Sequence, residues 1–285
     1  MIENLLLIEN GKGGVGKTSL VANLAGLAAA AGWRVLAIDL DPQGNLARDL
    51  GYLNRSDGGS HLAGALTNRT TLIPIFGVRP SLDVIPGGPA LAQVTPFLLK
   101  HESTQQRLSQ TLAPLSSAYD LIVADLPPGE PAIRALAAQA ARWILIPTKT
   151  DPGSIDGLNA ILGDFITAHQ TNQQLRILGV ALMLVNASAK VVLTEARRDL
   201  EETLRGSVRI FNTAIRSAEA VAVVCRQRGM LVNEYAAQAT TIPNSRFASL
   251  RAGKKPERFL PSSTGLAADY VSLANEVLTA IKELN

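Results

Sequence analysis

The sequence predicts an α/β fold: a doubly wound, mostly parallel sheet with helices on both faces. Three observations carry this. Short apolar runs alternate along the chain with longer stretches whose apolar residues recur at three- and four-residue steps. The short runs are continuously apolar, as strands buried on both faces must be. Their order, strand then helix repeatedly, is that of a parallel sheet built from crossover units.

Strands are expected at 4–9 (NLLLIE), 34–39 (RVLAID), 82–86 (LDVIP), 120–125 (DLIVAD), 142–147 (RWILIP), 177–185 (ILGVALMLV) and 207–211 (SVRIF). Helices are expected at 17–31, 102–117, 130–141, 154–169, 188–205, 216–228 and 265–283. Residues 52–81 and 240–263, rich in Gly, Ser, Asn, Pro and Arg, read as surface loops. No internal repeat or low-complexity tract is present.

A chain of 285 residues with 47% hydrophobic content buries roughly three quarters of the surface its unfolded form exposes. One domain spanning 1–285 is expected. The single cysteine, Cys225, excludes an internal disulfide and suits a reducing compartment. MIENLLLIEN has no basic segment before its apolar stretch, and no run approaches the ~18 apolar residues of a membrane span. A soluble cytoplasmic protein is the expectation. Net charge is only +3, but residues 1–189 carry net −1, residues 190–260 net +6 and the remainder net −2.

Gly11 to Thr18 reads GKGGVGKT, which matches G-x-x-x-x-G-K-[ST] at every fixed position, between an expected strand and an expected helix. Its glycines let backbone N–H groups turn inward around phosphate oxygens, and the helix N-terminus adds its positive dipole end. The phosphate-binding set is Gly11, Lys12, Gly13, Gly14, Val15, Gly16, Lys17, Thr18 and Ser19, with Lys17 on the β- and γ-phosphates and Thr18 on Mg²⁺. The fold is thereby that of a P-loop NTPase.

In AIDLDPQGN (37–45), Asp39 and Asp41 leave the same face of a strand's end, about 6–7 Å apart. Beside a triphosphate such acids suit metal and water chemistry, although D-P-Q-G-N is equally a good turn sequence. YDLIVADLPPGEP (119–131) ends an apolar strand on Asp125 before a double proline. An acid there can hold Mg²⁺ or its water near Thr18.

KGGVGKT, with its additional Lys12, resembles the deviant Walker A motif of the ParA/MinD ATPases, and DLDPQGN and D-x-P-P resemble the first and second switches of ParA proteins. The resemblance implies that Thr18, Asp39 and Asp125 hold Mg²⁺ and that Asp41 serves hydrolysis. It implies also that Lys12 reaches across a sandwich homodimer to the partner's nucleotide, much as an arginine finger does. TKTD (148–151) resembles the guanine-reading motif of signal-recognition GTPases, but it follows the first strand after Asp125 rather than the second. The second, ILGVALMLVN, ends at Asn186 and resembles the ParA segment facing adenine. ATP is therefore the expected nucleotide, with Asn186 and Arg216 at the base, the latter in FNTAIRSAEA, which lacks the family's commoner I-P-R wording.

Arg226, Arg228, Arg246, Arg251, Lys254, Lys255 and Arg258 lie between 226 and 258 against only Glu234 and Glu257. Such a cluster suits a phosphate backbone, or an ordinary solvated face. The family resemblance favours nonspecific double-stranded DNA, bound by the ATP dimer and released when a ParB-like centromere-binding partner stimulates hydrolysis, with the protein associated with the nucleoid. Because the phosphate loop begins at residue 11, the sequence resembles the shorter Soj-like type without an N-terminal helix-turn-helix domain. Three alternative functions each need a feature that the sequence lacks. A MinD-like positioning ATPase needs a basic amphipathic tail, whereas YVSLANEVLTAIKELN has one lysine and two glutamates; no membrane partner is expected. An iron–sulfur reductase needs more than one cysteine, and a bacterial tyrosine kinase needs a C-terminal tyrosine cluster where only Tyr270 stands.

Overall fold

In a computed structural model, the structure describes residues 1–100, 104–186, 189–240 and 260–284. Among these residues, seven strands form one sheet in the order β3-β4-β2-β5-β1-β6-β7. The strands are β1 Ile2–Ile8, β2 Val35–Asp39, β3 Ile75–Arg79, β4 Leu82–Ile85, β5 Leu121–Asp125, β6 Ala141–Thr148 and β7 Arg176–Leu182. All neighbours run parallel except β3 and β4, which are antiparallel.

Both faces of the sheet are covered, as the continuous apolar runs require. Leu6 and Ile8 of β1 point into one core with α1 (Lys17–Ala30), α9 (Glu219–Arg228), α10 (Val232–Thr240) and α11 (Ser262–Leu284). Leu5 and Leu7 point into the other, with α3 (Ser60–Asn68), α5 (Arg107–Ser116), α6 (Pro131–Ala140), α7 (Pro152–His169) and α8 (Lys190–Leu204). All four leucine and isoleucine side chains are fully buried, each worth about 1.5–3 kcal/mol relative to exposure. Two short helices, α2 (Leu46–Asp49) and α4 (Val94–Lys100), follow β2 and β4.

Two expectations are corrected. The loop expected at 52–81 contains α3 and β3; α3 buries Leu62, Ala63, Ala65 and Leu66, an apolar stripe hidden among Ser, His, Gly, Thr and Asn. The strand expected at 207–211 is absent among the named strands. The segment makes one isolated bridge to β7, Val180 with Ile210, and a second bridge, Val185 with Arg216, lies beyond the end of both. Between them the Asn212 and Thr213 amides donate to the Glu276 carboxylate of α11 (2.7 and 2.9 Å) instead of to a strand. The loop expected at 240–263 lies almost wholly outside the described residues; only its end, from residue 260, is described, and α11 begins there at Ser262.

Candidate functional site

Strand register brings the acidic residues together. Ile8 of β1 pairs with Asp125 of β5, and Asp125 pairs with Asp39 of β2, so Glu9, Asp125 and Asp39 stand on neighbouring tips, with strands about 4.8 Å apart. Asp39 and Asp125 are essentially inaccessible to solvent. Asp39 accepts the amides of Asp41 (2.9 Å) and Leu46 (3.2 Å), whereas neither Asp125 oxygen has a hydrogen-bond partner. Burial raises both carboxyls, that of Asp39 well above its usual range with Asp125 adding to it. Asp125 is pushed up to about 7 by burial, with the nearby Thr18 hydroxyl opposing and Asp41 reinforcing the rise.

Gly16, left-handed at φ 88°, turns the chain from the loop into α1. Lys17 folds back on the loop and donates Nζ to the carbonyls of Asn10 (2.9 Å) and Lys12 (3.2 Å). Burial lowers its pKa, and Asp125 and Asp41 oppose that. Lys12 turns the other way. Its ammonium sits 2.6 Å from Asp151 Oδ1, so the acid of TKTD holds a lysine of its own chain. Asn10 braces this corner, accepting the Lys12 amide (2.8 Å) and donating to the Pro147 carbonyl (2.6 Å).

A cavity of about 1320 Å³ opens over the loop. Of the expected phosphate set, Gly14, Gly16, Lys17, Thr18 and Ser19 line it, joined by Asp41; Gly11, Lys12, Gly13 and Val15 do not. Its far end is lined by Leu184, Arg216, Ser217, Leu266 and Tyr270. Arg216 is held there by Asp269, at 2.6 Å from Nε and 2.9 Å from Nη2. Asn186 does not line the cavity, while Leu184, at φ 57°, does.

The basic cluster divides. Arg226 lines the cavity and pairs with Asp49 (2.6 Å), so its charge is compensated within the cleft. Arg228 also lines it, its guanidinium 5.5 Å from the Tyr235 ring centre. Arg246, Arg251, Lys254, Lys255 and Arg258 lie outside the described residues.

Sequence reasoning did not single out four residues of this site. Buried Glu9 has Arg134 of α6 3.9 Å away, which also holds Asp164 at 2.9 Å. Asp49 takes the Ser19 hydroxyl at 2.9 Å. For Glu9 a signal existed, a carboxylate ending an apolar strand one residue before the loop region.

The oxygen-only set of Thr18, Asp39 and Asp125 fits a hard cation. Burial raises both carboxyls and Asp125 raises Asp39 further, a strain that a bound cation would relieve.

A glycine-rich loop between β1 and α1, acids at the adjoining strand tips and an open cleft above them define a P-loop nucleoside triphosphatase. A family model described as an AAA domain matches residues 3–177. The chromosome partitioning protein ParA of Myxococcus xanthus is 31% identical over 193 residues, 67% of this chain and 68% of that one. The sporulation initiation inhibitor protein Soj of Bacillus subtilis is 32% identical over 186 residues, 64% and 73% of the two chains. An ATP complex of a Cyanothece McdA variant shares the fold with TM-score 0.77 at 21% identity, over 98% of this chain and 97% of that one. The chain belongs to the ParA/Soj family of partition ATPases, and it is an ATPase. Among the described residues no helix is long and apolar enough to cross a membrane.

Proposed function

We propose that this chain is a DNA-segregation ATPase whose ATP-bound sandwich homodimer binds double-stranded DNA nonspecifically on the nucleoid and is released when a ParB-like, centromere-bound partner stimulates hydrolysis. The observation that carries the reading is the divergence of the two loop lysines: Lys17 lines the cavity, while Lys12 does not and is tethered 2.6 Å from Asp151. Lys17 serves the nucleotide of its own chain. Lys12, with its side chain 40% exposed, is free to exchange Asp151 for the phosphates of a facing protomer. That exchange trades one anion for another of higher charge in a drier site.

In this reading Thr18, Asp39 and Asp125 would hold Mg²⁺, which neutralises charge on the phosphates when bound. Asp41, on the cavity wall with Oδ1 accepting the Gln43 amide at 2.8 Å, orients the attacking water. Arg216 serves the base end through its fixed position on Asp269, whereas Asn186, outside the cavity, does so only if the segment after β7 moves. The segment beyond α10, with Arg246, Arg251, Lys254, Lys255 and Arg258, supplies the DNA contacts, which are therefore salt-sensitive and indifferent to sequence.

A gel shift on unrelated DNA with ATP, ADP or no nucleotide, beside liposome pelleting, tests the reading. DNA retention only with ATP, and none on lipid, is the expected result; lipid pelleting without DNA retention overturns it in favour of a MinD-like role. Lys12→Ala is expected to bind ATP as a monomer and to lose ATP-driven dimerisation in analytical ultracentrifugation. Dimerisation that persists removes Lys12 from the interface.

A further inference from the structure

The outer wall of the cleft is fastened to the phosphate loop through one carboxylate. Asp49 of α2 is buried. Its Oδ2 accepts both the Ser19 hydroxyl at 2.9 Å and Arg226 Nη2 at 3.3 Å, and its Oδ1 accepts Arg226 Nε at 2.6 Å. Ser19 and Arg226 both line the cavity. Behind this chain, α2 joins the start of α10 by contacts with other groups. A Cβ on Gly229 would lie 2.4 Å from Gly51 Cα, so the two backbones touch. Arg79 donates to the carbonyls of Leu50 (2.9 Å) and Gly229 (3.2 Å) and to Glu234 (2.6 Å). Asn23, one turn along α1, donates to the Ser19 carbonyl at 2.8 Å and accepts the Val232 amide at 3.0 Å. None of Arg79, Glu234 or Asn23 lines the cavity. Of these polar links, the Ser19–Asp49–Arg226 chain is the one with lining side chains at both ends.

A serine hydroxyl carries a single proton to donate. A phosphate oxygen arriving at Ser19 competes with Asp49 for it, and the added negative charge repels the Asp49 carboxylate. Empty and occupied loops therefore differ in what Asp49 experiences, and a ligand shifts a conformational equilibrium only through such a difference.

We propose that Asp49 is a positioning residue that reports occupancy of the phosphate loop to α9: nucleotide draws the Ser19 hydroxyl away, and the carboxylate, left to Arg226, moves that helix. The inference rests on the ATPase activity and not on the DNA-segregation reading. Arg226 thereby belongs to the nucleotide cleft rather than to a DNA surface.

Titration of the full chain with a fluorescent ATP analogue and Mg²⁺, with hydrogen–deuterium exchange across 219–228 in its presence and absence, tests this. Asp49→Asn removes the repulsion and is expected to bind the analogue about three- to tenfold more tightly, roughly 1 kcal/mol, while α9 exchange ceases to respond. Arg226→Ala leaves the carboxylate uncompensated and is expected to bind about tenfold more weakly. The double variant is expected to bind within about twofold of Asp49→Asn alone, the non-additivity of a direct pair. A purely structural role would weaken all three. Equal or weaker binding by Asp49→Asn, or an α9 response matching the parent, overturns the proposal. Should Asp49→Asn fail to fold, unchanged affinity in Arg226→Ala, at a side chain 44% exposed, overturns it equally.

Discussion

The two walls of the cleft handle charge in opposite ways. Beneath the inner wall, behind the lining residues Lys17, Thr18 and Asp41, the buried Glu9, Asp39 and Asp125 stand at strand tips without a bidentate cation, and the Asp125 oxygens have no hydrogen-bond partner. On the outer wall the arginines are matched at hydrogen-bond distance, Arg226 by Asp49 and Arg216 by Asp269, and behind that wall Arg79 is matched by Glu234. Burying a carboxylate unpaired costs stability, and burying it paired roughly breaks even. The inner acids therefore await a charge that arrives, whereas the outer-wall carboxylates already have their cations and can only redistribute them.

The contrast breaks most sharply at Asp41. If the inner wall is chemical, Asp41→Ala is expected to lower ATP turnover by about 10²–10³, or 3–4 kcal/mol of barrier, with nucleotide affinity and melting temperature held close to the parent. Phosphate-release kinetics beside nucleotide titration check this. Full turnover in the variant removes Asp41 from hydrolysis. On the outer wall the sensitive point is shape. Gly229, at φ 63° and ending α9, leaves no room for a Cβ against Gly51. Gly229→Ala is expected to destabilise the protein by about 2–3 kcal/mol in urea unfolding.

The inner wall was legible in the sequence because its chemistry is local: a glycine pattern between strand and helix, and acids ending apolar runs, announce themselves within ten residues. The parallel sheet was legible for the same reason. β3 was not, because Gly77 interrupts the run IFGVR with φ 62° and its pairing with β4 shifts register. The outer wall was opaque because its pairs are far apart in the chain. Arg226 counts as one more basic residue until Asp49, 177 positions earlier, is set beside it. Likewise Asp151 resembles a base-reading acid in TKTD until Lys12, 139 positions away, occupies it.

The smallest expected effect tests whether the inner wall is held at a cost. Burial pushes the Glu9 carboxyl up to about 7 from 4.5, with Arg134 and Lys17 opposing and Asp164 reinforcing the rise. A carboxyl whose pKa is raised by folding binds its proton more tightly in the folded chain. Its contribution to stability is therefore full below the unfolded value and is lost as pH rises through the folded one, a window from about 4.5 to about 7. Glu9→Gln keeps the neutral shape and removes the titration. The nucleotide-free variant is expected to exceed the parent by about 1–2 kcal/mol at pH 8, the gap closing toward pH 4.5, as urea unfolding at the two pH values would measure. A variant less stable than the parent at pH 8 would mean that Arg134, at 3.9 Å, more than offsets the desolvation, and the inner wall would then be paired like the outer.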